Sequence, residues 1–408
     1  MKELETMRAE VKEHLLGKIL PFWMELRDEE YGGFYGGLDY DLKLEKQAEK
    51  GCILNSRITW FFANVFLAYK NGLLTDADFT AHGYDAGQIR ICAKQGFDFL
   101  KEKCIDRENG GIFWSLRQDG TPLDTTKHTY NQAFCIYALS SYYDAFGDES
   151  ALALARELVQ VVEGKCRDDI GYLEARTITF APESNEKLSE NGILADKTMN
   201  TLLHVFEAYT ELYRVTKETG IGEKLRWMMD LFADRIYNPS LHRLEVFFDA
   251  DYQPLLDLHS YGHDIETAWL MDRGTQVLGD PQYEAKMLPI TKDLTAQIYR
   301  VAFDGHSLAN ECDRGTVDET RIWWVQAESV VGFLNGYRAD PSMQAYLQAA
   351  VSQWAFIRDH VVDAREGSEW FRAVDKKGCP LPGQPIVEPW KCPYHNGRMC
   401  LEVLKATR

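Results

Sequence analysis

Several features that would narrow the function at once are missing from this chain. There is neither a GxGxxG nor a GxxxxGK(S/T) loop, which removes the usual sequence grounds for a nicotinamide or ATP cofactor. No segment approaches the roughly 20 apolar residues of a membrane span. The opening Met1–Arg8 is charged and amphipathic where a signal peptide would be apolar, so the sequence predicts a cytoplasmic protein. Nine cysteines form no CxxC pair, and in a chain of this size they read as small buried hydrophobes rather than staples. Basic residues are in deficit, and the formal net charge of −18, with no visible Lys/Arg stripe, excludes nucleic acid as a natural partner. No Pro/Ser-rich linker or shift in composition divides the 408 residues, so residues 1–408 read as one domain; at 45% hydrophobic and 12% aromatic it can bury a large core.

What the chain does contain is a repeat. Six times, a turn rich in Gly and aromatic residues leads through polar residues into an amphipathic helix that opens on polar or aromatic side chains. Arg57, Tyr130, Asn200, His263, Trp324 and His395 mark the openings; Arg57 to Tyr130 is 73 residues and His263 to Trp324 is 61, the longest and shortest intervals. Apolar residues follow at three- and four-residue steps, as in Leu202, Leu203, Phe206 and Tyr209, the pattern of a helix with one buried stripe. A second, more charged helix comes next, for example 151–163 and 222–237. Six such hairpins bury their apolar stripes most economically by closing into a ring, which predicts an all-α (α/α)6 barrel. Its inner helices then start at one end, and their openings converge on a single concave pocket.

Three of the ten histidines, His204, His263 and His395, fall in inner-helix openings of separate units, where an imidazole can give and take protons near neutrality. Any one alone reads equally well as a structural histidine; the shared register favours function. Glu266, three residues after His263, either fixes that imidazole's tautomer or caps the helix. Arg57 either holds a developing oxyanion or pairs with an outer-helix acid. Trp60, Tyr130 and Trp323 fit a core, whereas Trp324 and Trp390, in polar openings, suit stacking on a sugar ring. Glu328, one turn after Trp324, either accepts sugar hydroxyls or caps a neighbouring helix. His259 and His263 have a zinc-like spacing, but a glycine turn separates them and the HExxH acid is absent, so no metal is expected. Cys392 lies near His395 with nothing further to mark it as a nucleophile. The polar stretch 182–192 reads as a lid or as a solvated loop.

The segments His128 to Phe134, Leu188 to Gly192, Ala195 to Tyr209, Ser260 to Glu266, Trp323 to Glu328 and Glu388 to His395 together resemble the N-acylglucosamine 2-epimerase superfamily. Within it they are most similar to the bacterial cellobiose 2-epimerases, over essentially the whole chain. The resemblance implies an (α/α)6 barrel without metal or nucleotide cofactor, acting on a small-molecule disaccharide; the expected state is a monomer, which the sequence does not fix. It would open the reducing-end ring, remove the C2 proton to give a cis-enediol(ate), and return a proton to the opposite face. By this similarity His263 and His395 match the acid/base pair, His204 a histidine near the open-chain O1, Arg57 the enediolate-binding arginine, and Glu266 the carboxylate partnering the base. Tyr130, Asn200, Trp324, Glu328 and Trp390 match substrate-contacting positions. The alternatives are a mannose or glucose aldose–ketose isomerase, an N-acylglucosamine 2-epimerase and, more distantly, a non-catalytic binding toroid. A glycosidase on the same toroid would need two carboxylates where the openings carry histidines.

Overall fold

The structure, a computed structural model, describes residues 2–188 and 192–406. Among the described residues, twelve α-helices of eleven or more residues build the barrel, and they alternate between an outer and an inner layer. In chain order they are α1 (Lys2–His14), α2 (Cys52–Lys70), α3 (Ala86–Phe99), α4 (Thr129–Phe146), α5 (Glu149–Lys165), α6 (Met199–Thr216), α7 (Thr219–Leu231), α8 (Tyr261–Leu278), α9 (Pro281–Val301), α10 (Trp323–Ala339), α11 (Gln344–Phe356) and α12 (His395–Lys405). The even-numbered helices are inner, and each packs on the next around a closed ring in which α12 returns to α2. Outer helices α3, α5, α7, α9 and α11 each pack on the inner helix before them. This is the expected (α/α)6 barrel.

The sixth unit differs from the simple repeat. Among the described residues the position outside α12 is filled by α1, which packs against α12 and α11. Side chains tie this seam, with Trp354 Nε1 donating to Glu10 at 2.8 Å and Trp370 Nε1 donating to His14 Nε2 at 2.7 Å. The single buried stripe expected for the inner helices is also too little. From Met199 to Leu212 every residue but Asn200 is buried, because outer helices cover one side and the barrel interior the other. Outer helices do show the stripe, as in Leu158, Val159 and Val162 of α5. Among the described residues no helix is long and apolar enough to cross a membrane.

Short antiparallel strands hold the inner-helix openings together. Lys50–Gly51 pairs with Ser115–Leu116, Lys127–His128 with Ala175–Arg176, Lys197–Thr198 with Phe247–Phe248, Leu258–Ser260 with Glu311–Asp313, and Arg321–Ile322 with Ala373–Val374. Each first strand runs straight into an inner helix, so the pairing fixes where that helix begins. A buried cation stands two residues before four of these helices and reaches an aspartate in the preceding turn: Lys50 to Asp28 (2.5 Å), Lys127 to Asp106 (2.8 Å), Lys197 to Asp168 (2.7 Å) and Arg321 to Asp304 (2.5 Å). Removing one member of such a pair strands a charge out of water. Lys127→Ala should therefore cost about 3–5 kcal/mol, read as a lowered Tm. Lys376→Ala, which removes an exposed partner of Glu319, should cost less than about 1 kcal/mol.

Candidate active site

The inner helices all open at one end of the barrel, around a cavity of about 500 Å³. Nine of the ten side chains singled out in the sequence line it: Arg57, Tyr130, Asn200, His204, His263, Glu266, Trp324, Trp390 and His395. Glu328 does not; it is fully buried behind His395. The histidines come from α6, α8 and α12, and each is more than nine-tenths buried. His263 and His395 both pack on Trp324, with ring centroids 4.8 and 5.4 Å from it. Gly262 lets α8 approach this closely, since a Cβ there would sit 2.5 Å from the Trp324 ring.

Each imidazole is anchored through Nδ1. His204 Nδ1 stands 2.9 Å from Glu207 Oε2 and His395 Nδ1 stands 2.7 Å from Glu328 Oε1. A carboxylate accepts only, so these nitrogens carry the proton, and Nε2 is left as a bare base. His263 Nδ1 meets the Ser260 hydroxyl at 2.8 Å. Burial lowers all three imidazoles below their ordinary value, His263 to about 3 with His204 adding to the effect. For His395, Arg398 and Arg57 lower it further. All three are neutral bases at pH 7.

Arg57 is 2% exposed and reaches the cavity from α2. Its Nη2 donates to the Tyr130 hydroxyl at 2.7 Å and its Nη1 to the Trp390 carbonyl at 3.2 Å, while the guanidinium carbon lies 4.1 Å from the Phe134 ring centre. No ion pair to it is found among the described residues, and its buried Nε has no partner. The expected alternative, a bridge to an outer-helix acid, is therefore not formed. The cation is solvated by aromatic faces and two oxygens, an arrangement that keeps its charge available to a ligand. Asn200 Oδ1 is likewise buried without a partner.

Two further expectations need correction. Glu266 does not orient His263; Ser260 occupies that position, and Glu266 Oε1 instead accepts from Arg398 and lies 4.0 Å from His395 Nδ1. Glu328 does not reach sugar hydroxyls, because both of its oxygens are held, by His395 and Arg398 on one side and Trp269 on the other. The zinc-like pair dissolves too. His259 bonds Asp264 at 2.8 Å, in the slot two residues before α8 that lysine or arginine fills elsewhere. Glu266, Glu328 and His395 bring ligand atoms within 4.8 Å of one another, but Arg398 donates to both carboxylates and so supplies the cation this cluster calls for. Cys392 is buried, which raises its thiol, although Arg57 partly offsets this.

Sequence reasoning missed the layer behind the histidines. Arg398, on α12 one turn beyond His395, donates to Glu207, Glu266, Glu328 and the Tyr394 hydroxyl. The spacing His395 to Arg398 and His204 to Glu207, three residues on a helix, was the available signal. Of the 182–192 stretch, residues 189–191 lie outside the described residues, as does the middle of the Leu188 to Gly192 motif. The near side is tethered: His128 Nδ1 accepts from the Tyr130 amide, so its Nε2 carries the proton and donates to Asn185 Oδ1 at 2.9 Å. Lys187 pairs with Asp124 and lines the cavity with Leu188.

The chain matches the N-acylglucosamine 2-epimerase (GlcNAc 2-epimerase) family over residues 32–396. It is 47% identical over 412 residues to a cellobiose 2-epimerase of Eubacterium cellulosolvens, covering 97% of this chain and 98% of the relative. A solved sugar epimerase from a ruminal bacterium superposes with a TM-score of 0.93 at 44% identity, over 98% of this chain and 99% of the other. The cellobiose 2-epimerase of Bacillus thermoamylovorans B4167 gives 0.91 at 37%, over the same shares.

Proposed function

This chain belongs to the N-acylglucosamine 2-epimerase family, and from that footing we propose that it interconverts the C2 configuration of the reducing-end residue of β-1,4-linked disaccharides, taking cellobiose to glucosyl-mannose. The observation that carries the proposal is the set of three neutral imidazoles from three helices around one cavity, which also holds a guanidinium that pairs with no carboxylate among the described residues.

The C2 proton of an aldose is labile only when C1 is a free aldehyde, so the ring must open first. That is a proton shuttle between O5 and O1, and His204, beside Tyr130 at a ring distance of 5.0 Å, serves it. His395, at its bare Nε2, or His263 then takes the C2 proton, and the electron pair left on carbon delocalises to make the enediolate. Arg57 and the Tyr130 hydroxyl bonded to it stabilise the charge at oxygen as it develops. The other imidazole, once protonated from solvent, delivers that proton to the opposite face and inverts C2, and the first releases the C2 proton to solvent. A single base returning the proton to C1 would make a ketose, and two imidazoles packed on Trp324 favour epimerisation over that outcome. Trp324 and Trp390 present indole faces to the sugars, and Asn200 Oδ1 offers an acceptor to a hydroxyl.

Incubating the chelator-treated enzyme with cellobiose in D2O and reading the products by NMR tests this directly. Glucosyl-mannose carrying deuterium at C2 is the expected product. Free glucose would assign hydrolysis, and a ketose as main product would assign isomerisation.

A further inference from the structure

Three carboxylates from α6, α8 and α10 meet one guanidinium from α12, and the donors around them are not evenly shared. Glu207 accepts on Oε1 from Arg398 at 2.5 Å, and on Oε2 from His204 at 2.9 Å and the Tyr394 hydroxyl at 2.5 Å. Glu328 accepts on Oε1 from His395 and Arg398, each at 2.7 Å, and on Oε2 from Trp269 Nε1 at 2.9 Å. Every oxygen of these two faces a donor, which is the environment of an ionised carboxylate. Glu266 is different. Its Oε1 accepts from Arg398, but its Oε2 is buried with no partner among the described residues, although Glu266 lines the cavity.

One guanidinium cannot neutralise three carboxylates removed from water, and the least costly relief is a proton on one of them. That proton belongs on the oxygen no donor reaches. We propose that Glu266 works as a neutral carboxylic acid whose Oε2–H donates a hydrogen bond to the enediolate of the substrate. The proton remains on Glu266 while the C2 proton moves between carbon and imidazole, so the step requires no other reactant. This inference rests on the epimerase reading and deepens it: in place of a carboxylate that steadies an imidazole, Glu266 supplies a second donor to the developing oxyanion, in addition to Arg57.

Burial and Glu328 raise Glu266 to about 8, against the opposing pull of Arg398, and Glu207 adds to the rise. Burial raises Glu328 too, whereas Glu207, despite its burial, is held down to about 2 by Arg398 and His204, so the donor geometry is what places the proton on Glu266. Arg57 and Tyr130 on α2 and α4, and Tyr394 before α12, complete the charged and titratable groups around it. The donor form is thus present below about pH 8 and is lost as pH rises through that value.

Glu266→Gln keeps the shape and a donor but cannot ionise. It should retain kcat on cellobiose within about tenfold of wild type, whereas Glu266→Ala should fall by about 100-fold or more, the effect of removing an oxyanion donor. In the Gln variant the alkaline fall in rate disappears, and so does the protonated-carboxyl stretch seen by infrared spectroscopy in the wild type. A Gln variant as inactive as the Ala variant at unchanged Tm overturns the proposal, and so does an alkaline limb that survives in it. Wild-type turnover on cellobiose, measured in parallel, reports on the epimerase reading alone. The infrared band reports on Glu266 whatever the substrate proves to be.

Discussion

Replacing His263 or His395 by alanine should lower the rate of epimerisation by about 10³-fold or more while the fold and Tm persist, because each variant lacks the proton carrier on one face of C2. Neither imidazole supports the barrel through an ion pair the fold depends on; His263 is held by the Ser260 hydroxyl and His395 by a glutamate that Arg398 also holds. The loss should be selective. A variant with one base left can still take the C2 proton of one epimer and return deuterium to the same face. In D2O, one single mutant should therefore wash deuterium into cellobiose without making glucosyl-mannose, and the other should do the reverse. Near wild-type epimerisation in either mutant would overturn the two-base assignment. Loss of exchange in both epimers for both mutants would do so too.

Arg57→Met should produce the second large effect, and it has an unusual signature. The arginine is buried without a carboxylate among the described residues, so its desolvation is met only by aromatic faces, one hydroxyl and one carbonyl. Such a charge is costly to the fold and useful to a transition state that acquires an oxyanion. The variant should lose about 10²–10³ in kcat, or about 2.7–4 kcal/mol of transition-state stabilisation, while its Tm holds or rises. A fall in Tm accompanied by unchanged kcat would assign Arg57 to architecture instead.

Much of this site was legible in the primary structure, and the limits are instructive. The six openings marked the mouth of the barrel correctly, since polar residues at the head of an otherwise apolar helix have nowhere else to go. Arg57 is the one that sits deeper, six residues into α2 where the others fall within the first three of their helices, and its long side chain makes up the difference. Spacing failed at Glu266. His204 and Glu207 stand three apart and bond; His263 and Glu266 stand three apart and do not. What separates them is Arg398, which draws Glu266 towards α12 and leaves His263 to a serine on the preceding strand. A partner contributed by a helix 132 residues away cannot be read from local periodicity. The buried cations before the inner helices were visible in the sequence as Lys50, Lys127, Lys197 and Arg321, yet recognising them as a repeat requires knowing where the helices start.

The position of Arg398 on the last inner helix bears on how the protein is made. Until α12 is in place, the space shared by Glu207, Glu266 and Glu328 holds no guanidinium. Arrival of α12 delivers the guanidinium and His395 in one stroke, and α1, the oldest segment, then clasps the newest. Proton transfer as proposed therefore requires the closed ring, since α12 brings both His395 and the cation behind it.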